Sequence, residues 1–205
     1  YDRFAYSVNA AFPTFNGFGV WIADQIHGLT ISADFYLITS PEKNPTNNCQ
    51  RIGVGPGELY IAPCGYDATL VPCYDNTGIY YLNLKNNQWK ILSREEGLDE
   101  KVFTSFARVY YHSPSSTAYV SSWDHGIQVI QNGNKINSYH NENTPLKGIL
   151  VNPNTGLQTA IRPSGMGFDS KGNFWVTTFG ASQPLAVKTP SGQWYTYTLP
   201  NSNVL

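Results

Sequence analysis

A pattern that recurs four times along the chain, at a spacing close to 50 residues, limits the possible folds more than any other feature. Each copy has an apolar segment with an aromatic residue, then a loop, then a second apolar segment. The paired segments are 20–24 with 27–31, 59–63 with 77–81, 118–122 with 125–129, and 174–178 with 184–187. The second segment of each copy begins at or just before a fixed position, which is held by Gly28, Gly78, Gly126 and Pro184. Successive positions are 50, 48 and 58 residues apart. Repeats of this length are typical of β-propeller blades.

Turn-forming residues complete each copy. Asn and Gly, which accept positive φ, follow the second apolar segment at Asn132-Gly133, and Ser191-Gly192 takes the same place in the last copy. Each copy therefore predicts four antiparallel strands, which form one blade. We expect an all-β fold, a single β-propeller region over residues 1–205, with blades near 1–36, 50–92, 105–140 and 158–198. Rings of about six to eight blades are common, so we expect these blades to be part of a larger ring.

The second strand of each repeat carries a large aromatic residue. These are Trp21, Tyr60, Tyr119 and Trp175. Aromatic side chains supply much of the apolar contact in protein cores. We therefore expect all four to pack between adjacent blades, and we expect the Asn132-Gly133 and Ser191-Gly192 turns to lie in solvent.

The low charge of the chain excludes several classes of partner. Only 13% of the residues are charged, against about 25% in an average domain. The net charge is −1, so no broad basic surface is available for nucleic acid or anionic lipid.

The sequence contains no apolar run of about 18 residues, so no membrane span is predicted. It contains no signal peptide, and its start at Tyr1 suggests a mature protein or a piece of a longer one.

The three cysteines leave two interpretations open. Cys64 and Cys73 are nine residues apart and can form a disulfide in an oxidising compartment. Alternatively, Cys49, Cys64 and Cys73 are three buried thiols that act as small apolar side chains. The spacing matches no zinc site.

Several segments resemble known propellers. Residues 168–177 are similar to the F-D-x-x-G-N-x-W-V strand pair of bacterial two-component-regulator propellers. Residues 184–194 and 138–146 resemble a blade end and a loop of the PorZ family, surface components of the type IX secretion system of Bacteroidetes. The chain departs from the pattern at Cys64, where glycine is usual.

This resemblance implies a non-catalytic binding protein outside the cytoplasm, in the periplasm or at the outer-membrane surface of a Gram-negative bacterium. A member of the PorZ family would present anionic lipopolysaccharide to a surface sortase and dock with that sortase. The resemblance to two-component regulators implies an alternative, a periplasmic propeller that senses an oligosaccharide. A propeller lyase or lactonase is a third hypothesis and would require a divalent cation in the axial channel. We predict no catalytic residue, metal or cofactor.

The loops between the second and third strands carry the candidate binding residues. These loops differ most in length between repeats, and variable loops on a constant scaffold are the usual place for a binding site. The candidates are Trp123, Tyr66, Phe179, His27 and His125. Both histidines precede the repeat glycine, so their repeated position favours a structural role over metal binding. We expect replacement of Trp123 or Tyr66 by Ala to weaken binding and to leave thermal stability nearly unchanged.

Overall fold

The computed structural model describes residues 8–14, 19–24, 28–33, 37–39, 49–152 and 157–200. Within these ranges the chain forms four sheets of four strands and one two-stranded hairpin. This arrangement confirms the all-β fold and the four-stranded repeat. No helix in the described ranges is long and apolar enough to cross a membrane.

Each four-stranded sheet is an antiparallel meander whose strands neighbour one another in sequence order. The first sheet contains β1 (Val8–Pro13), β2 (Gly19–Asp24), β3 (Gly28–Ala33) and β4 (Leu37–Thr39). The second contains β5 (Arg51–Gly55), β6 (Glu58–Ala62), β7 (Ile79–Asn83) and β8 (Gln88–Leu92). The third contains β9 (Phe106–His112), β10 (Thr117–Ser122), β11 (Gly126–Gln131) and β12 (Asn134–Tyr139).

The fourth sheet contains β15 (Pro163–Phe168), β16 (Phe174–Thr178), β17 (Leu185–Lys188) and β18 (Trp194–Tyr197). A hairpin that the repeat does not predict, β13 (Ile149–Asn152) with β14 (Leu157–Thr159), precedes it. Two short 3-10 turns occur at Glu100–Val102 and Ser113–Ser115.

The sheets converge at their first strands. β1 contacts β5, β5 contacts β9, and β9 contacts β15. Because the blades of a propeller meet around its axis, the first strand of each sheet is the innermost. Small residues allow the close approach: a Cβ added to Gly53 would lie 2.3 Å from Cγ1 of Val109, and one added to Gly55 would lie 2.0 Å from the ring of Tyr111.

Three apolar clusters fill the spaces between successive sheets. The second and third sheets are covered on both faces, so every residue of β6 and β10 is buried. In the fourth sheet, by contrast, burial alternates along β16. Phe174 and Val176 are buried against the third sheet, and Thr177 is exposed on the outer face.

The two tryptophans that were expected to pack alike behave differently. Trp21 is buried between the first and second sheets. Trp175 is only half-buried, on the outer face of the fourth sheet, where its Nε1 donates to Asp169 at 2.9 Å and its ring stacks against Tyr197. The expectation for Trp175 is wrong because the repeat directs this position away from the preceding sheet, and no described sheet covers that face.

The two hairpin turns that were expected in solvent also differ. Ser191 and Gly192 are exposed. Asn132 is exposed as well, but Gly133 is buried against the ring of Tyr81 and donates its N–H to Tyr60 at 3.1 Å. Gly133 has φ +67, and a Cβ there would lie 2.8 Å from Tyr81, so both the turn and the packing require glycine.

Candidate functional site

Three of the loops that join second to third strands meet on one side of the molecule, which we call the loop face. These are residues 63–78, 123–125 and 179–184, from the second, third and fourth sheets. Backbone bonds tie the loop face together. Trp123 donates its N–H to Ser105 at 2.8 Å, Ile161 donates to Asp124 at 2.7 Å, and Phe179 donates to Arg162 at 2.9 Å.

Three of the predicted site residues form a row of rings on the loop face, which we call the aromatic row. The ring centroid of Trp123 lies 4.1 Å from that of Tyr66 and 5.6 Å from that of Phe179. Trp123 is only 2% exposed, and its Nε1 donates to the carbonyl of Leu70 at 3.0 Å. The sequence therefore identified a real cluster, but Trp123 is its buried centre and is not an exposed stacking platform.

Two arginines contact the aromatic row, one at Tyr66 and one at its centre, Trp123. Nη2 of Arg108 donates to the hydroxyl of Tyr66 at 2.6 Å. The guanidinium of Arg162 lies 5.3 Å from the ring centroid of Trp123, and its Nε is 3.3 Å from Oδ1 of Asp124. Arginine faces are attracted to aromatic rings, so both contacts help to fix the guanidinium positions.

A disulfide closes the loop that carries Tyr66. Cys64 and Cys73 are bonded, so the interpretation of three buried thiols is wrong for this pair, and Cys49 is buried in the first core cluster. The side chain of Gln50 accepts the N–H of Gly65 at 2.7 Å and donates to the carbonyl of Tyr66 at 2.8 Å. The disulfide and these bonds hold Tyr66 in place beneath the solvent-facing part of the loop.

A cleft of about 460 Å³ opens on the loop face beside the aromatic row. Its polar lining residues are Tyr74, Lys101, Asp124, His125, Asn141 and Arg162, and its other lining residues are Gly148, Ala160 and Ile161. Lys101 forms an ion pair with Glu142. Desolvation lowers the pKa of the His125 imidazole, although the charge of Asp124 acts in the opposite direction. His125 is therefore mainly neutral at pH 7 and can both donate and accept a hydrogen bond.

The predicted site residues thus have different outcomes. Tyr66, Trp123 and Phe179 lie together, and His125 lines the adjacent cleft. His27 lies outside the described residues. The sequence analysis did not identify Lys101, Asn141 or Arg108, because they lie in other segments and are brought to the loop face only by the fold.

A polar cluster elsewhere on the third sheet does not have the order of a hydrolytic triad. Oδ2 of Asp99 accepts the hydroxyl of Ser138 at 2.5 Å and lies 4.0 Å from Nε2 of His140. In a triad the imidazole lies between the hydroxyl and the carboxylate, whereas here the carboxylate lies between the other two. Among the described residues, no group of three or more His, Cys, Asp or Glu side chains is arranged to hold a metal ion.

No protein-family model and no curated protein sequence matches this chain. Solved structures do match. PorZ, a surface component of the type IX secretion system of Porphyromonas gingivalis, is 19% identical with a TM-score of 0.57, over 95% of this chain and 26% of PorZ. The extracellular domain of a hybrid two-component system from B. thetaiotaomicron is 16% identical with a TM-score of 0.62, over 93% of this chain and 23% of that one.

Virginiamycin B lyase from Staphylococcus aureus is 11% identical with a TM-score of 0.63, over 94% of this chain and 56% of the lyase. The chain therefore spans between about a quarter and just over half of the length of these three proteins. At such identities the likeness concerns the fold alone. The chain has a β-propeller fold, and its structural neighbours include PorZ and the extracellular propeller domains of two-component systems.

Proposed function

We propose that this chain is an extracytoplasmic binding propeller that holds an acidic oligosaccharide at the loop face and does not catalyse a reaction. The observation that carries this proposal is the cleft of about 460 Å³ on the loop face, where the loops that carry Tyr74 and His125 lie beside the segment 160–162. Its volume falls within the range of about 300–1,000 Å³ for small-molecule sites. Its walls belong to loops that a disulfide and backbone bonds hold in place.

The lining of the cleft suits a sugar. Hydroxyl groups need both donors and acceptors, and Asn141 and neutral His125 supply both kinds. Lys101 and Arg162 supply positive charge. Each is paired with a carboxylate, Lys101 with Glu142 and Arg162 with Asp124, and these pairs hold the cations in one orientation. Tyr74, which is 64% exposed, presents an aromatic ring at the edge of the cleft. The combination of cations, amide and aromatic ring favours an acidic saccharide over an apolar ligand.

The more specific role that we propose is that of a PorZ-like accessory protein of type IX secretion in a bacterium of the Bacteroidetes. The protein would present anionic lipopolysaccharide to a surface sortase and dock with that sortase, in the periplasm or at the outer-membrane surface. Three observations support this role: the fold shared with PorZ, the resemblance of residues 184–194 and 138–146, and the Cys64–Cys73 disulfide. Disulfides persist in oxidising compartments outside the cytoplasm.

A second candidate is an oligosaccharide-sensing propeller of a hybrid two-component system. The fold shared with the B. thetaiotaomicron extracellular domains favours it. The two candidates differ in ligand, because the first requires an acidic glycan and the second accepts a neutral one.

Calorimetric titration of the purified chain tests both candidates. The probes are an acidic oligosaccharide released from lipopolysaccharide and a neutral plant oligosaccharide of similar length. The replacement Lys101→Gln removes a cleft cation and should weaken acidic-glycan binding by about tenfold, since one bond to a charged group contributes roughly 1.5–3 kcal/mol. The matched control is Lys171→Gln, an exposed lysine in the turn between β15 and β16.

Preference for the acidic probe, together with its loss in Lys101→Gln, supports the PorZ-like role. Tighter binding of the neutral probe supports the sensor. If neither oligosaccharide binds, or if Lys171→Gln weakens binding as much as Lys101→Gln does, the loop-face cleft is not a glycan site.

A further inference from the structure

Two arginines occupy the same position of the repeat on neighbouring innermost strands. Arg51 of β5 pairs with Ala62, and Arg108 of β9 pairs with Ser121. Ala62 is the last residue before the loop 63–78, and only Ser122 separates Ser121 from the loop 123–125. Arg51 and Arg108 therefore lie at one level near the axis, on the loop-face side of the sheets. The equivalent positions of the first and fourth sheets hold Ala10 and Gly165, so this side of the axis combines two cations with small neighbours.

Arg108 and the residue opposite it carry buried polar atoms that have no partner. Nε of Arg108 and Oγ of Ser121 are both buried without a hydrogen bond to any described residue. Since directly paired residues of adjacent strands project to the same face, these two atoms belong to one small region. Unsatisfied buried polar atoms are rare in proteins, so two at one paired position require a polar partner from outside the described residues, either an ordered water or a ligand.

The remaining atoms of the Arg108 guanidinium are positioned to bind an acidic group. Nη2 donates to the hydroxyl of Tyr66 at 2.6 Å, which fixes the plane of the group. Nη1 makes no hydrogen bond with a described residue and is not buried. No carboxylate in the described part of the chain lies within ion-pair distance of Arg108. A planar guanidinium that is fixed in this way matches the two oxygens of a carboxylate or phosphate.

Arg51, the neighbour of Arg108, is also positively charged. Burial lowers the pKa of Arg51, and the positive charge of Arg108 lowers it further, while Tyr66 acts in the opposite direction. The guanidinium of Arg108 is therefore close enough to that of Arg51 to disfavour the charge of Arg51. A bound anion would relieve this repulsion.

We propose that Arg108, Ser121, Arg51 and the hydroxyl of Tyr66 form an oxyanion site at the axial end of the aromatic row. Its ligand is a carboxylate or phosphate group carried by a sugar. The inference depends on the proposed glycan binding only for the identity of the molecule that carries the acid. The acidic group lies at Arg108, and the sugar rings extend across the loop face toward the cleft.

Titration with small probes tests the oxyanion site separately from the cleft. The probes are inorganic phosphate, glucose 6-phosphate, glucuronate and glucose, and binding is followed by calorimetry and by NMR shifts of the Tyr66 ring. We expect the three anions to bind and glucose not to bind measurably. A stronger response to glucuronate identifies a carboxylate site, and a stronger response to the two phosphates identifies a phosphate site.

Substitutions assign the site to Arg108. Arg108→Gln should weaken anion binding at least about tenfold, and Arg108→Lys, which keeps the charge and loses the planar fork, should have an intermediate effect. Arg94→Gln, which removes an exposed arginine near Phe103, is the control and should bind as the unchanged chain does. Tyr66→Phe, which keeps the ring and removes only the hydroxyl, gives a second test if Arg108→Gln does not fold.

The outcomes separate this inference from the proposed function. If a folded Arg108→Gln variant binds the anions unchanged, or if the anions bind no better than glucose, the oxyanion site is refuted even where oligosaccharide binding depends on Lys101. If the anions bind through Arg108 and no oligosaccharide binds, the oxyanion site stands and the proposed glycan function fails.

Discussion

The ring of Tyr66 lies on the indole of Trp123 with the two centroids 4.1 Å apart, and the residues come from loops of neighbouring sheets. The contact joins the second sheet to the third at the loop face. Trp123 also donates to the carbonyl of Leu70 inside the disulfide-closed loop. The aromatic row is therefore the structural support of the proposed binding face, and we expect ligands to contact the groups around it.

Replacement of Trp123 by Ala should destabilise the protein strongly. The side chain is 2% exposed, and removal of a buried aromatic costs about 3–5 kcal/mol. This corrects the sequence-based expectation that stability would be nearly unchanged. Urea denaturation measures the difference, with Tyr74→Ala as the control because Tyr74 is 64% exposed. Equal unfolding free energies for the two variants would contradict the buried position of Trp123.

Reduction of the Cys64–Cys73 disulfide should lower stability by roughly 2–3 kcal/mol, the amount expected from the unfolded-state entropy of a loop of this length. The double replacement Cys64→Ser with Cys73→Ser should lose the same amount. Denaturation with and without dithiothreitol checks the prediction. The unchanged chain should respond to the reductant and the double variant should not. A response of equal size in both would assign the effect to another group.

The repeat predicted the fold because blades are specified by local sequence signals. Gly28, Gly78 and Gly126, which lie at the start of the third strands, recur at the spacing of blades. The turns between strands contain residues that accept positive φ. Strand pairing within each blade is between sequence neighbours, so no long-range information is needed to predict it.

Burial depends on which sheets lie next to each other, and the repeat alone does not give this. Trp21 and Trp175 occupy equivalent positions, yet Trp21 is buried by the second sheet and Trp175 lies on a face that no described sheet covers.

The sequence analysis did not identify the oxyanion site for a related reason. The shared repeat position of Arg51 and Arg108 was visible in principle, but it becomes evident only when the first strands are aligned as well as the second and third.

Asp169 should make stability depend on pH in the acid range. Its carboxylate accepts hydrogen bonds from Nε1 of Trp175, from the side chain of Asn173 and from backbone N–H groups, and these bonds hold its pKa well below the usual value. A pKa that is lower in the folded state adds stability above the unfolded value of about 3.9, and this stability is lost as the pH falls through the folded pKa.

The replacement Asp169→Asn should therefore be less stable than the unchanged chain at pH 7. The difference in unfolding free energy should stay constant down to about pH 5 and shrink at lower pH. Urea denaturation at several pH values measures this difference. Glu100→Gln, which changes an exposed carboxyl in a 3-10 turn, is the control. A difference that is independent of pH would show that Asp169 acts through shape and not through charge.

Gly53 and Gly167 test both the register of the repeat and the uncovered outer face. They occupy equivalent positions on innermost strands, since Gly53 pairs with Tyr60 and Gly167 pairs with Trp175. A Cβ at Gly53 would lie 2.3 Å from Val109 of the third sheet, whereas a Cβ at Gly167 would have no neighbour within 4 Å.

Gly53→Ala should therefore cost about 1–3 kcal/mol by overpacking, because β5 and β9 must separate to accept the methyl group. Gly167→Ala should be neutral or stabilise the protein by up to about 1 kcal/mol, because alanine reduces the freedom of the unfolded chain without meeting another atom. Thermal and urea unfolding of both variants measure the two effects under the same conditions. If Gly167→Ala were as destabilising as Gly53→Ala, the outer face of the fourth sheet would be covered in solution, and its description as open would be wrong.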